Sequence, residues 1–419
     1  MVHNTIILIR HFDMINLKRI CLFAAIAVAA FAVANAEDDI KNEFNPVTTG
    51  VTALSITPDA RGASMGDLGA ATDPDVNSQY WNPSKYAFAY SAGGLSISYT
   101  PWLRKLVNDI FLGYLTGYWK IGSNDNQAIS ASLRYFSLGE VSITDGSGSG
   151  TAIGTINPFE MAFDVGYSRK LSESFSMGVA LRYIYSDLSW SDSYAEQRPK
   201  GASAFSADIS GYLSKYPMIG SSECQWTLGW NISNIGSKVA YNGGNDPAFL
   251  PCNLRLGTAF TFPLMDYHTL AISVDFNKLL VPTKPRSSDY LDEHGVEDTE
   301  AYNKALQEWK DMSPITGIFK SFYDAPGGFK EELREIMYSI GAEYAYNQQF
   351  FLRAGYYHES KYKGNRQYFG FGAGFSLNVV RLDASYIIAT AQNSPLDSTL
   401  RFTLSFDMEG IKDLIGRRK

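Results

Sequence analysis

Histidine and cysteine are scarce in this 419-residue chain, and after residue 36 no apolar run is long enough to cross a bilayer as a helix. The five histidines are His3, His11, His268, His294 and His358, too scattered to supply metal-ligand spacing. No Gly-x-Ser-x-Gly elbow, no His-Glu-x-x-His pair and no nucleophile beside a base occurs. The expectation is therefore no catalytic residue, no cofactor and no metal. Charged residues make up only 19% of the chain, the formal net charge is −7, and no basic patch is present, which argues against a nucleic-acid partner. A helical membrane protein is excluded by the absent apolar runs.

The chain is rich in aromatic residues. Tyrosine numbers 26 and phenylalanine 25, a balance suited to a protein needing many interfacial rings. At the N-terminus Lys18-Arg19 precedes an apolar stretch from Ile20 to Val33, then Ala34-Asn35-Ala36 and acidic Glu37-Asp38-Asp39. A positive flank, a short apolar core and a small-x-small site predict a secretory leader over residues 1–36. Of the three cysteines, only Cys224 and Cys252 survive its removal.

From residue 92 the chain falls into segments of about ten residues in which apolar and small or polar residues alternate, as strands facing two environments require. Phe175, Met177, Val179, Leu181, Tyr183 and Tyr185, interleaved with Ser174, Ser176, Gly178, Ala180 and Arg182, form the clearest case. Fourteen segments are found: 92–99, 109–121, 127–136, 159–169, 174–185, 202–212, 224–233, 252–262, 269–278, 337–346, 350–359, 367–377, 380–389 and 398–406. Apart from one over-long even join, Leu213–Glu223, and two modest odd ones, their connections alternate between short and long, the rhythm of periplasmic turns and extracellular loops. A soluble sandwich also alternates, but it does not turn Trp226, Trp230, Tyr183 and Tyr185 outward. The predicted fold is all-β: a 14-stranded transmembrane antiparallel β-barrel over 92–406, in contact with outer-membrane lipid. An N-terminal hatch or plug segment over 37–91 precedes it, and a tail over 407–419 follows. On this topology Cys224 and Cys252 begin neighbouring strands at opposite ends, roughly 30 Å apart. A disulfide needs Cα atoms within about 7 Å, so both should stay unpaired.

An insertion over 282–336 interrupts the barrel on the extracellular side. It holds seven basic and twelve acidic residues over 283–336. Tyr302, Leu306 and Trp309 are spaced as one helical stripe and Phe329, Leu333 and Ile336 as another, which marks the insertion as a lid or partner-contact surface. Glu331-Glu332 is expected to sit on an exposed helix and serve solvation. Gly62, Gly66 and Gly69 superficially suggest a phosphate loop, but no Lys-Ser/Thr pair ends the run.

The block 46–88 carries a more specific pattern. It reads Asp59-Ala-Arg61-Gly62, then Met65-Gly66-Asp67, Gly69-Ala-Ala-Thr72, Asp75-Val-Asn-Ser78 and Trp81-Asn82-Pro83-Ser84-Lys85. Together with Ile97-Ser-Tyr-Thr-Pro-Trp-Leu-Arg104 it resembles the PorV family of the type IX protein-secretion system. More distantly, Asn82-Pro83-Ser84 resembles the Asn-Pro-Ala element of the FadL superfamily of fourteen-strand barrels, with Ser84 in place of the usual Ala.

The first resemblance implies a non-enzymatic outer-membrane component. It would bind the large translocon barrel, accept cargo through the cargo's C-terminal signal domain, and hand it to a cell-surface sortase complex. The second implies an alternative, a FadL-type channel for uptake of hydrophobic small molecules. Either way the hatch motif, Asp59, Arg61, Gly62, Met65, Gly66, Asp67, Trp81, Asn82 and Pro83, is expected to be structural. Its small residues would pack tightly in the lumen, and Asp59, Arg61 and Asp67 would pair with one another or with inward groups such as Arg182. The loops 139–157, 186–201 and 234–251 join the insertion as candidate contact surfaces.

Overall fold

The computed structural model describes residues 44–411 apart from 104–106, 108, 123, 145–151, 189–200, 242–245, 292–293, 295, 391–393 and 395. The leader, the start of the predicted hatch and most of the tail lie outside the described residues.

Strand alternation carries through to a closed wall. The fourteen strands are β1 (Gly93–Pro101), β2 (Ile110–Ile121), β3 (Gln127–Leu138), β4 (Phe159–Lys170), β5 (Phe175–Asp187), β6 (Ala202–Lys215) and β7 (Gln225–Gly236). They continue as β8 (Asn253–Met265), β9 (His268–Leu279), β10 (Met337–Tyr346), β11 (Phe350–His358), β12 (Gln367–Leu377), β13 (Val380–Ala389) and β14 (Leu400–Asp407). Every neighbour is antiparallel, and β1 closes on β14 from Gly94 opposite Asp407 to Tyr99 opposite Phe402. Closure leaves no open sheet edge, which a bilayer would not tolerate.

Parity decides which side chains face which medium. On β5, Met177, Val179, Leu181 and Tyr183 are exposed while Ser176, Gly178, Ala180 and Arg182 are buried. Rings cluster near the ends of the outer face. Tyr99, Phe111, Tyr135, Phe159 and Tyr185 follow one another across β1 to β5 at the long-loop end, with centroids 5.5 to 6.1 Å apart. Trp226, Phe260 and Phe262 do the same at the short-turn end. Such girdles mark the two membrane–water interfaces of a barrel.

Most turns match the expected rhythm. Asn347, Gln348 and Asn378 adopt positive φ in two short turns, as tight hairpins demand. The unexpectedly long join after β6 is an extension of the hairpin in which Met218–Ile219 pairs with Ser222–Glu223. Two long-loop hairpins, Val141–Thr144 with Ala152–Ile156 and Val239–Tyr241 with Asp246–Ala248, stand at the other end. Cys224 and Cys252 are both buried free thiols.

Candidate functional site

Two regions depart from a plain barrel: residues 44–89, folded against the inward face, and the insertion after β9. The first contains helices α1 (Ala60–Ser64) and α2 (Ser78–Trp81) and a 3-10 turn, Pro83–Phe88. Asp59 caps α1 by accepting from the Gly62 amide at 2.8 Å, and its other oxygen accepts from Trp81 Nε1 at 2.7 Å. Trp81 lies flat against two glycines: a Cβ on Gly62 would meet its ring at 2.2 Å and one on Gly69 at 2.4 Å. Gly66 has φ +81°, and a Cβ on it would lie 2.7 Å from the Tyr356 backbone, so only glycine fits. The wall yields as well, since a side chain on Gly355 would strike Met65 at 2.1 Å. Asn82 donates to the carbonyls of Ala70 and Gly211 and accepts from the Ser84 amide, with Pro83 opening the turn.

The hatch-motif residues are thus brought together, and Arg61 and Asp67 pair with inward groups of the wall as expected, though not with Arg182. Arg61 does not pair with Asp59 or Asp67. Its guanidinium grips Glu343 of β10 at 2.8 and 3.0 Å and Asp75 at 2.9 Å. Glu343 also accepts from Arg353, which reaches Asp383 at 2.8 Å. This ionic chain ties the N-terminal segment to β10, β11 and β13. Asp67, at φ 58°, accepts from the Tyr368 hydroxyl. Arg182 is not a hatch partner: it pairs with Asp164 at 2.6 Å, Asp208 at 2.9 Å and the Asn234 side chain, all on the wall. The cause is register, because Asp164 stands directly across from Arg182. Lys85, unremarked in the sequence beyond its place in the motif, is fully buried and donates to Gly69 O and Thr72 Oγ1.

The insertion holds α3 (Thr299–Asp311), α4 (Pro314–Lys320) and α5 (Phe329–Arg334). Asp298 caps α3 through the Glu300 and Ala301 amides, and Ser313 caps α4 with Pro314 at its first position. Trp309 turns inward, 5.2 Å from the Phe249 ring, with Nε1 donating to Pro282 O at 3.0 Å. Tyr302 and Leu306 remain half-buried, Tyr302 beside Tyr290.

α5 overturns the expectation for Glu331-Glu332, because its acidic face is the buried one. Lys363 donates to Glu331 and Glu335 at 2.5 and 3.0 Å, and Lys278 donates to Glu332 and Glu335 at 2.9 and 2.5 Å. Asn45 Nδ2 and the amides of Ala325 and Gly327 complete the carboxylates. Asp324, beside Glu332 and Glu335, receives the Thr283 amide at 2.9 Å, and burial pushes its carboxyl up to about 6. With its acids locked inward, α5 presents its apolar side to the outside. Phe329 is 75% exposed, Phe319 of α4 67% and Tyr323 between them 74%, with Leu333, Phe322 and Ile315 alongside.

The profile of the family described as "Type IX secretion system protein PorV" matches residues 39–286, well over half of the chain. The chain belongs to the PorV family. Membership makes it an outer-membrane barrel of type IX secretion, a transport or secretion component. No curated protein matches it in sequence. Among solved structures it is similar to the toluene transporter TbuX of Ralstonia pickettii, at 13% identity and TM-score 0.46, covering 85% of this chain and 99% of that one. It is also similar to the Pseudomonas putida toluene transporter TodX (13%, 0.47, 83% and 97%) and to a Pseudomonas aeruginosa FadL homologue (11%, 0.42, 87% and 99%). In outer-membrane barrels the longer loops face outside and the short turns the periplasm, the convention used for this chain.

Proposed function

We propose that this PorV-family barrel is a plugged, non-enzymatic membrane receptor. It takes cargo by a C-terminal signal domain as the cargo leaves the large translocon barrel, then passes it to a surface sortase complex. The observation that supports this reading best is the inside-out insertion. Exposed contiguous apolar surface marks an interaction site, and here Phe319, Phe322, Tyr323, Phe329 and Leu333 are held outward by buried ion pairs beneath them. A rigid apolar platform suits clients that share one signal fold and differ elsewhere. In this reading residues 44–89 are the stopper, and the hatch motif is the packing that seats it.

The channel alternative requires an exit through the wall for hydrophobic molecules. All neighbouring strands are hydrogen-bonded, and at the β7 bulge between Ile232 and Ile235 the Asn234 side chain ties Arg182 to Pro251 O. These contacts favour a closed receptor. A Phe319→Glu/Phe329→Glu double variant tests it. Tagged protein taken from the outer membrane should lose co-purifying proteins that carry the shared C-terminal signal domain, while keeping heat-modifiable gel mobility. Recovery of the same partners in wild-type amount refutes the platform.

A further inference from the structure

The outer end of the N-terminal segment crosses the long-loop mouth of the barrel as a strap. At one side, on β3 and β4, Arg134 Nη1 donates to Ala53 O and Ile56 O, and Glu160 accepts from the Ala53 amide at 2.9 Å. At the other, in the loop after β11, the Asn45 amide donates to Tyr362 O at 2.8 Å. Between these anchors Val51 and Leu54 pack with Val239 and Leu250, and the Gly50 amide donates to Phe249 O at 2.8 Å. The fit at Gly50 is close: a Cβ there would lie 2.5 Å from Val239 Cγ1 and 3.0 Å from Ala248 Cβ.

The insertion rests on this strap. Val47 packs against the cluster of Phe249, Leu280, Val281 and Trp309, with Met312 and Ile318 of the insertion alongside. Asn45, 6% exposed, donates its side-chain amide at 3.1 Å to Glu331, 286 residues later in the chain, and Lys363 closes the same carboxylate. Segments that share buried contacts open together, and whatever stabilises one stabilises the other by the same amount. We propose that the stopper and the platform are one cooperative unit. Seating residues 45–56 across the mouth completes the floor on which α3 and α5 fold, so the apolar platform forms only on a stoppered barrel. An occupant of the platform in turn fastens the stopper. A receptor built in this way shows no client surface while its lumen is open. What the platform is used for rests on the receptor reading; the coupling does not.

Hydrogen exchange of the protein in nanodiscs, without cargo, measures the coupling in both directions. Gly50→Val drives the strap off Val239 and Ala248. The Asn45 amide should then exchange faster. The Ala325 and Gly327 amides, which donate to Glu332 and Glu331, should follow by about tenfold, the scale of one hydrogen bond to a charged group. Lys363→Met loosens α5 from the other side. The Gly50 amide, bonded to Phe249 O and not to Lys363, should then exchange faster by a like factor. Strand amides of the wall should keep their wild-type rates in both variants, which separates coupling from general loosening. Faster exchange at Asn45 with wild-type rates at Ala325 and Gly327 overturns the proposal. So does a wild-type rate at Gly50 in Lys363→Met once Ala325 and Gly327 have quickened. Should Gly50→Val fail to assemble, Lys363→Met decides alone. The two readings fail separately. Wild-type partner recovery by Phe319→Glu/Phe329→Glu ends the receptor reading whatever the exchange rates, and uncoupled exchange ends this proposal whatever the partner recovery.

Discussion

Lys363→Met removes one ammonium from beneath the extracellular platform and leaves a nearly isosteric apolar chain. Lys363 is buried and bridges Glu331 and Glu335. Without it Glu331 keeps Asn45 Nδ2 and the Gly327 amide, and Glu335 keeps Lys278, so two carboxylates stay buried with one cation fewer. Removing one partner of a buried pair costs about 3–5 kcal/mol, and the surviving contacts place this case near the lower figure. At about 1.4 kcal/mol per decade, opening of α5 should become roughly a hundredfold more frequent. Hydrogen exchange reads this directly, because the Ala325 and Gly327 amides donate to Glu332 and Glu331. Those amides should exchange about two decades faster, while β-strand amides and heat-modifiable mobility stay unchanged. Adding Glu331→Gln and Glu335→Gln should restore part of the protection, since the uncompensated charge is then gone. Unaltered exchange at Ala325 and Gly327 in Lys363→Met would refute the claim that buried ion pairs hold the platform.

Further outcomes follow from other contacts. Gly62→Ala forces Trp81 aside and breaks its bond to Asp59, so the N-terminal segment should loosen by about 1–3 kcal/mol, seen as new trypsin cleavage within residues 44–89. Glu343→Gln leaves Arg61 only Asp75 and Arg353 only Asp383 as ion-pair partners, cutting the link between segment and wall, and should raise single-channel conductance in planar bilayers, whereas a segment fixed by other contacts would leave it silent. Asp324 has its folded carboxyl raised to about 6 from 3.8, so the folded insertion binds the proton more readily than the unfolded chain. Its contribution is favourable at low pH and declines as pH rises through 6. Protease resistance of residues 283–336 should therefore grow between pH 7.5 and 5, and Asp324→Asn should abolish that trend. Alkylation of protein denatured after exposure to oxidant should add two labels, one each at Cys224 and Cys252, with no disulfide recovered.

Several features were legible because they are local. Side chains alternate with period two along any strand, so Met177, Val179 and Leu181 declared an outer face whatever their neighbours were. The turn and loop rhythm set the strand count and kept the two cysteines apart. The Asp59–Asn82 motif named residues that pack together, and its small residues foretold close packing, though not that Trp81 would be the neighbour. A further signal went unread. Charged residues at inward parity, such as Glu343, Arg353 and Asp383, need partners in the lumen, and Arg61 in the motif was one.

What the chain determined by itself was therefore whatever depends on neighbours a few residues away: strand faces, turns, helix caps and the barrel class. What the tertiary structure decided was partnership over long separations. Register placed Asp164 opposite Arg182 and so withheld that arginine from the hatch. Lys278 and Lys363, far away in the sequence, turned the acidic side of α5 inward and its rings outward, reversing the face that a helical pattern alone suggests. Periodicity shows that a helix has two faces; only the surroundings decide which one is buried.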